Sequence, residues 1–224
     1  MGFDEKFIGE REAIYRQCNY LFNLIDLYDC IFEEDRNKEL NYAPAFWSIT
    51  IDALYHTMIL WACKLLDAKE ERGIPAFLRM AKDNFGHFSK DKLQKRAERK
   101  DISCVLTKKR LEELEGKIKN VDAVFKNLKK QRDKFISHFD KRYFSNPTEL
   151  RKKHPIKWKD LDSVKKVIDE AFNGVSAGFN GNSYGIASVN NQDVTKIFRV
   201  LGRHINAPQN SESGTRHSER SGAE

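Results

Sequence analysis

The sequence predicts an all-α fold, a bundle of three long helices with shorter helices packed beside them. Three observations carry this. Apolar residues recur at alternating steps of three and four over three long stretches, the spacing that lines one face of a helix. Alternation of apolar and polar residues is never sustained for the length of a strand; ISCVL, residues 102–106, is the only short β-like run. No repeat at a fixed period is present, which argues against a solenoid. At 224 residues the chain can bury a sizeable helical core.

The first long segment runs from about Asp4 to Glu34. Ile14, Cys18, Leu21, Ile25, Tyr28 and Phe32 lie along one face, and Asp35, Arg36, Asn37 and Asn41 supply the break. The second runs from about Ala43 to Lys69, with Pro44 in its first turn, where a missing N–H costs nothing. Trp47, Ile51, Leu54, Met58, Trp61 and Leu65 form its stripe, while Phe46, Ile49, Ile59, Leu60 and Leu66 add apolar surface elsewhere. A helix apolar around most of its circumference is expected to be the central, buried one. His56 within it reads as a hydrogen-bonded core or interface histidine. IPAFLRMAKDN is a short helix ended by Gly86, and SKDKLQKRAERKD reads as a solvated helix or connector.

The third long segment runs from about Thr107 to Phe144. Its stripe is Leu111, Leu114, Ile118, Val121, Phe125 and Leu128, and Asn146-Pro147 is the stop. TELRKKHPIKWK, residues 148–159, reads as a basic loop leading into a helix from about Asp160 to Phe172, ended by Asn173-Gly174. GFNGNSYG lacks the ending of a phosphate loop and reads as a plain loop. A last helix spans Gln192 to Leu201.

Forty Lys and Arg against thirty-three Asp and Glu leave a formal charge of +7, which favours anionic partners. Cys18, Cys30, Cys63 and Cys104 form neither a CxxC pair nor a disulfide framework, and Cys18 and Cys63 read as small buried hydrophobes. No metal ligand set and no cofactor motif stand out. The N-terminus lacks an apolar signal core, and Asp52, His56 and Lys64 interrupt the most apolar stretch, so the expectation is a cytoplasmic protein without a membrane span.

The chemistry-bearing feature is QRDKFISHFDKR, residues 131–142. Counting four residues on from Leu128 lands on Arg132, where the stripe calls for an apolar side chain. An unpaired buried guanidinium costs several kcal/mol, so Arg132 needs a carboxylate, a phosphate or a water-filled cleft. In α-helical projection His138 lies about 120° around from Arg132. Two copies of the helix packed by twofold symmetry would gather two arginines and two histidines around one groove. Such a set can cut RNA without a metal. The 2′-hydroxyl attacks the neighbouring phosphorus, an imidazole moves the protons, and a guanidinium stabilises the transition-state charge. The bland alternative pairs Arg132 with Asp52 or Asp67 to fix packing and leaves His138 on the surface near Arg142.

The run Arg132-Asp133-Lys134-Phe135-Ile136-Ser137-His138 resembles the signature of the HEPN superfamily, and QRDKFISHFD is similar to its abortive-infection branch. The resemblance extends over roughly residues 5–145 and includes the central helix FWSITIDALYHTMILWACKLLD. It implies a HEPN-like helical bundle that dimerises through the motif helices, with metal-independent ribonuclease activity in antiphage defence or a toxin system. By position it makes Arg132 the phosphate-contacting cation, His138 the acid or base and Asp133 a supporting residue that orients Arg132 or helps hold the helix. A tyrosine two residues past the histidine, present in some relatives, is Asp140 here. Lys129, Lys130, Lys134 and Arg142 are candidate RNA contacts, and a homodimer, RNA and an antitoxin or defence protein are the expected partners. The alternative is a non-catalytic HEPN-like module that binds RNA or a protein through its Lys and Arg. The expected organisation is one domain over 1–204, with C-terminal helices at about 160–204 and a disordered tail at 205–224.

Overall fold

A computed structural model of the chain describes residues 2–32, 36–97, 104–136, 147–186 and 191–207. Among these there are ten α-helices and no strand. They are α1 (Phe3–Phe32), α2 (Asn37–Tyr42), α3 (Pro44–Leu66), α4 (Ile74–Asp83), α5 (Lys90–Arg96), α6 (Lys108–Asn120), α7 (Asp122–Gln131), α8 (Pro147–Lys153), α9 (Trp158–Asn180) and α10 (Asn191–Asn206). A 3₁₀ turn, Phe85–Phe88, follows α4, and a π-helical turn, Arg132–Ile136, follows α7.

The all-α bundle expected from the sequence is present, but its long helices are α1, α3 and α9. The third expected one is divided. The amide of Val121 turns back to the Ile118 carbonyl instead of continuing the i−4 ladder, and α7 starts anew at Asp122. Thr107 caps α6, its hydroxyl accepting from the Arg110 amide at 3.1 Å. ISCVL makes no strand over its described part, 104–106, and the first half of TELRKKHPIKWK, expected as a loop, belongs to the helix Pro147–Lys153.

The helix expected to stop at Asn173-Gly174 continues to Asn180 and ends where Gly181 takes the left-handed conformation, φ 78°. Asn173 serves another purpose. Its side-chain oxygen accepts from the Tyr184 amide at 2.7 Å, and its Nδ2 donates to the Tyr184 carbonyl at 3.1 Å, fastening the following loop to the middle of α9. The glycines thin one face of α9. A Cβ on Gly174 would stand 2.8 Å from a methyl of Leu114, and one on Gly178 would stand 2.5 Å from the Leu106 Cβ. Bare backbone is what lets α6 and the residues that lead into it lie close against α9.

The core is aromatic at one end. Phe7 lies 4.3 Å from Phe179 and 5.1 Å from Phe77, centroid to centroid, with Phe88 edge-on at 5.4 Å. At the other end Trp47 stacks on Phe198 at 4.8 Å, with the Arg36 guanidinium over the same ring. Cys18 and Cys63 are fully buried, as their stripe positions imply, and burial raises the Cys63 thiol to about 12. Trp61, expected inside, is half-buried against Tyr20. α3 packs on α1 and α7, yet it is not apolar-buried all round: Phe46 and Ile49 are exposed. It is the one described helix long and apolar enough by composition to cross a membrane.

Two glycine substitutions should act with opposite sign. Gly178→Ala is expected to lower stability by about 1–3 kcal/mol, because the Leu106 side chain and its backbone must move. Gly116→Ala, with open space around it inside α6, should raise stability by about 0.5–1 kcal/mol. Thermal or urea melts of the two variants beside the parent check both.

Candidate functional site at the end of α7

α3 ends at Asp67, a carboxylate only 7% exposed. Its Oδ1 accepts from the Lys69 amide at 3.1 Å, which fixes the turn that leaves the helix. Its Oδ2 faces α7, 3.0 Å from the Lys129 ammonium and 3.9 Å from Nη1 of Arg132. Lys129 and Arg132 are three residues apart, so both reach one carboxylate from one helix face. Burial opposes charge on Asp67, but the Lys129 hydrogen bond, the Lys69 amide and the Lys129 and Arg132 charges outweigh it. They hold the carboxyl below its ordinary range.

Arg132 is the first residue of the π turn. There the hydrogen bonds change from i→i+4 to i→i+5, a widening often found at functional sites. Its Nε and Nη2 both lie 2.8 Å from Oδ1 of Asp133, and its side chain keeps 18% of its surface open. Burial works against the guanidinium's charge; the Asp133 hydrogen bond, together with Cys63, Asp133 and Asp67, more than restores it. Arg132 is therefore gripped on two edges, by its neighbour Asp133 and more loosely by Asp67. Asp67 is one of the two packing partners that the bland reading named. Asp52, the other, pairs instead with Arg151 at 3.1 Å.

The residue before the π turn is clamped as well. Gln131, 3% exposed, accepts from the Tyr55 hydroxyl at 2.9 Å and donates to the His154 carbonyl at 2.6 Å. Asn127 donates to the Pro155 carbonyl at 3.0 Å. Together they draw α8 and the chain after it against α3 and α7, and Arg151 covers the Tyr55 ring. His56 belongs to this surrounding: burial lowers its pKa, with Asp52 raising and Arg151 lowering it further. Gln131 opens the stretch 131–142 in the sequence, but spacing gave it no role, since a glutamine carries no periodic signal and its partners lie on other elements.

Of the expected site residues, the structure brings together Lys129, Arg132 and Asp133. Lys130 is exposed and Lys134 half-buried on the same short stretch. His138, Asp140 and Arg142 lie outside the described residues. From Lys129 to Lys134, with Asp67, four cations face two carboxylates, which leaves a net +2 around Arg132.

This is the setting in which the comparison with protein families applies. The HEPN AbiU2 family model matches residues 4–198. The chain belongs to that family. It is a HEPN-type abortive-infection domain protein, and the match runs well past residue 145, taking in α9 and the first half of α10. No curated protein and no solved structure matches the chain.

In this HEPN domain the Asp67 contact should be visible in acid. Because its folded-state pKa is depressed, the stabilisation it provides is complete above the unfolded value, about 3.9. It is withdrawn as the pH falls through the lower folded value. Asp67→Asn is expected to melt lower than the parent at pH 7, by about 1–3 kcal/mol in stability, and to lose less than the parent between about pH 4 and pH 2. Melting curves across that range test both.

Proposed function

We propose that the chain is a metal-independent endoribonuclease of HEPN type, acting in antiphage defence or a toxin system. In this reading a homodimer groove holds RNA. The 2′-oxygen attacks the adjacent phosphorus, the bond from phosphorus to the 5′-oxygen breaks, and the products are a 2′,3′-cyclic phosphate and a free 5′-hydroxyl. His138 takes the proton from the 2′-hydroxyl or gives one to the leaving 5′-oxygen. Arg132 stabilises the added negative charge on the phosphorane-like transition state.

The observation that carries this reading is the state of Arg132. Its planar guanidinium is oriented from two edges before any ligand arrives, stays fully charged, and keeps part of its surface open. Orientation paid in advance by folding is what makes a fixed cation useful to a transition state. Lys130 and Lys134 flank it and Asp67 already has Lys129, so the local potential favours a phosphate. The dimer is supported by α3, whose Phe46 and Ile49, three residues apart on one helix, are 61% and 71% exposed, an apolar patch that a second copy would cover.

One observation favours a second reading. Two carboxylates already engage Arg132, so the same side chain could serve a non-catalytic module that binds RNA or a partner protein through its lysines. Substitution separates the two. Under the nuclease reading, the purified protein cuts RNA in the presence of chelator, leaves cyclic phosphate ends, and loses at least about 100-fold in rate in His138→Ala. Under the second, no product forms, binding weakens steeply with salt, Arg132→Ala weakens it further and His138→Ala leaves it unchanged.

A further inference from the structure

Beside the motif lies a cavity of about 400 Å³ that the proposed chemistry does not use. It opens where α6 gives way to α7. Because the helix breaks at Val121, Ile118 and Phe125 turn partly out of the core, and with Pro75 and Leu78 of α4 they form apolar walls. The remaining wall is the end of α3, Leu66 and Asp67. Asp67 is the carboxylate that holds Lys129 and Arg132, so one side chain borders both the cavity and the motif cations.

The charges at the mouth are not balanced. Each carboxylate there already has a lysine: Glu115 has Lys82 at 3.0 Å, Asp122 has Lys126 at 2.8 Å and Asp67 has Lys129 at 3.0 Å. Lys69, Arg79 and Lys119 are exposed on the same rim, and no ion pair engages them among the described residues. An apolar cavity with a phenyl ring in its wall and uncommitted cations at its lip fits an aromatic group joined to an anion. A nucleobase with its phosphate has that chemistry.

We infer that this cavity is a base subsite, which receives one nucleotide of the RNA strand whose neighbouring phosphate meets Arg132. The inference rests on the ribonuclease reading and names how that site would choose its position on a strand. The base lies against Phe125 between Pro75, Leu78 and Ile118; its phosphate meets the cationic lip. Asp67 borders both places, and the base and the neighbouring phosphate are held by different side chains.

The test is binding of a fluorescent 2′-O-methyl RNA nonamer, which lacks the attacking hydroxyl and so cannot be cut. It is compared with the same strand made abasic at one position after another. The parent is expected to lose roughly ten-fold in affinity at one abasic position. Phe125→Ala, and Ala68→Trp, which plugs the mouth from an exposed turn and leaves the core untouched, should bind the intact strand about as weakly as the parent binds the abasic one. Both should lose the difference between the two strands. Arg132→Ala should weaken intact and abasic strands alike and keep their ratio. If the parent binds RNA with no abasic position standing out, or if Ala68→Trp preserves the ratio, the subsite is overturned while the RNA reading survives. If the nonamer does not bind at all, both fall. If free AMP or UMP displaces the nonamer at concentrations equal to its own, the cavity serves a free nucleotide and the strand assignment is overturned.

Discussion

The buried carboxylate of Asp67 is the constraint around which the motif region is arranged. An anion this well hidden from water is stable only with cations against it. Two residues of α7 and its π turn supply them from one helix face. The consequence is mechanical as well as electrostatic. The end of the central helix, the first turn after it and the beginning of the motif cannot shift independently, because each movement would strand a charge. Arg132 inherits its position from this lock and its orientation from Asp133, its neighbour in the chain.

Arg11 also interrupts an apolar stripe, in surroundings unlike those of Arg132. Arg11 sits between Phe7 and Ile14 on α1, 6% exposed, with its guanidinium 4.8 Å above the Tyr184 ring and one nitrogen 3.2 Å from Glu12. It is enclosed, and its contacts are those of a packing residue. Arg132 has more open surface, two anionic neighbours and a strip of lysines beside it. A cation in an apolar seam is therefore not by itself a sign of chemistry; the opening beside it is what separates the two cases.

Much of the architecture was legible because periodicity is a direct image of burial. The stripe of α1 through Ile14, Cys18, Leu21 and Ile25 is buried as its spacing implies, and Pro44 stands in the first turn of its helix. The errors fall where tertiary contact overrode local signals. Asn173-Gly174 looks like a stop, yet the glycine is needed for close packing and the asparagine for holding a loop. Val121 shows neither Gly nor Pro, so the break between α6 and α7 left no local trace. Asp67 was legible only as one of two carboxylates that could reach Arg132, because sequence spacing gives the face of a helix and not its distance from another helix. Ile118 and Phe125 read as core from their period, while the break makes them walls of a cavity.

The π turn at Arg132–Ile136 winds the opening of the motif more loosely than the helix before it. A hydrogen-bonded loop closed at i+5 holds one residue more than an α-helical loop. Successive side chains there are therefore separated by less than the α-helical step of about 100°. The directions in which Asp133 and Lys134 leave the backbone, relative to Arg132, belong to this wider winding and differ from those that a uniform helical count assigns.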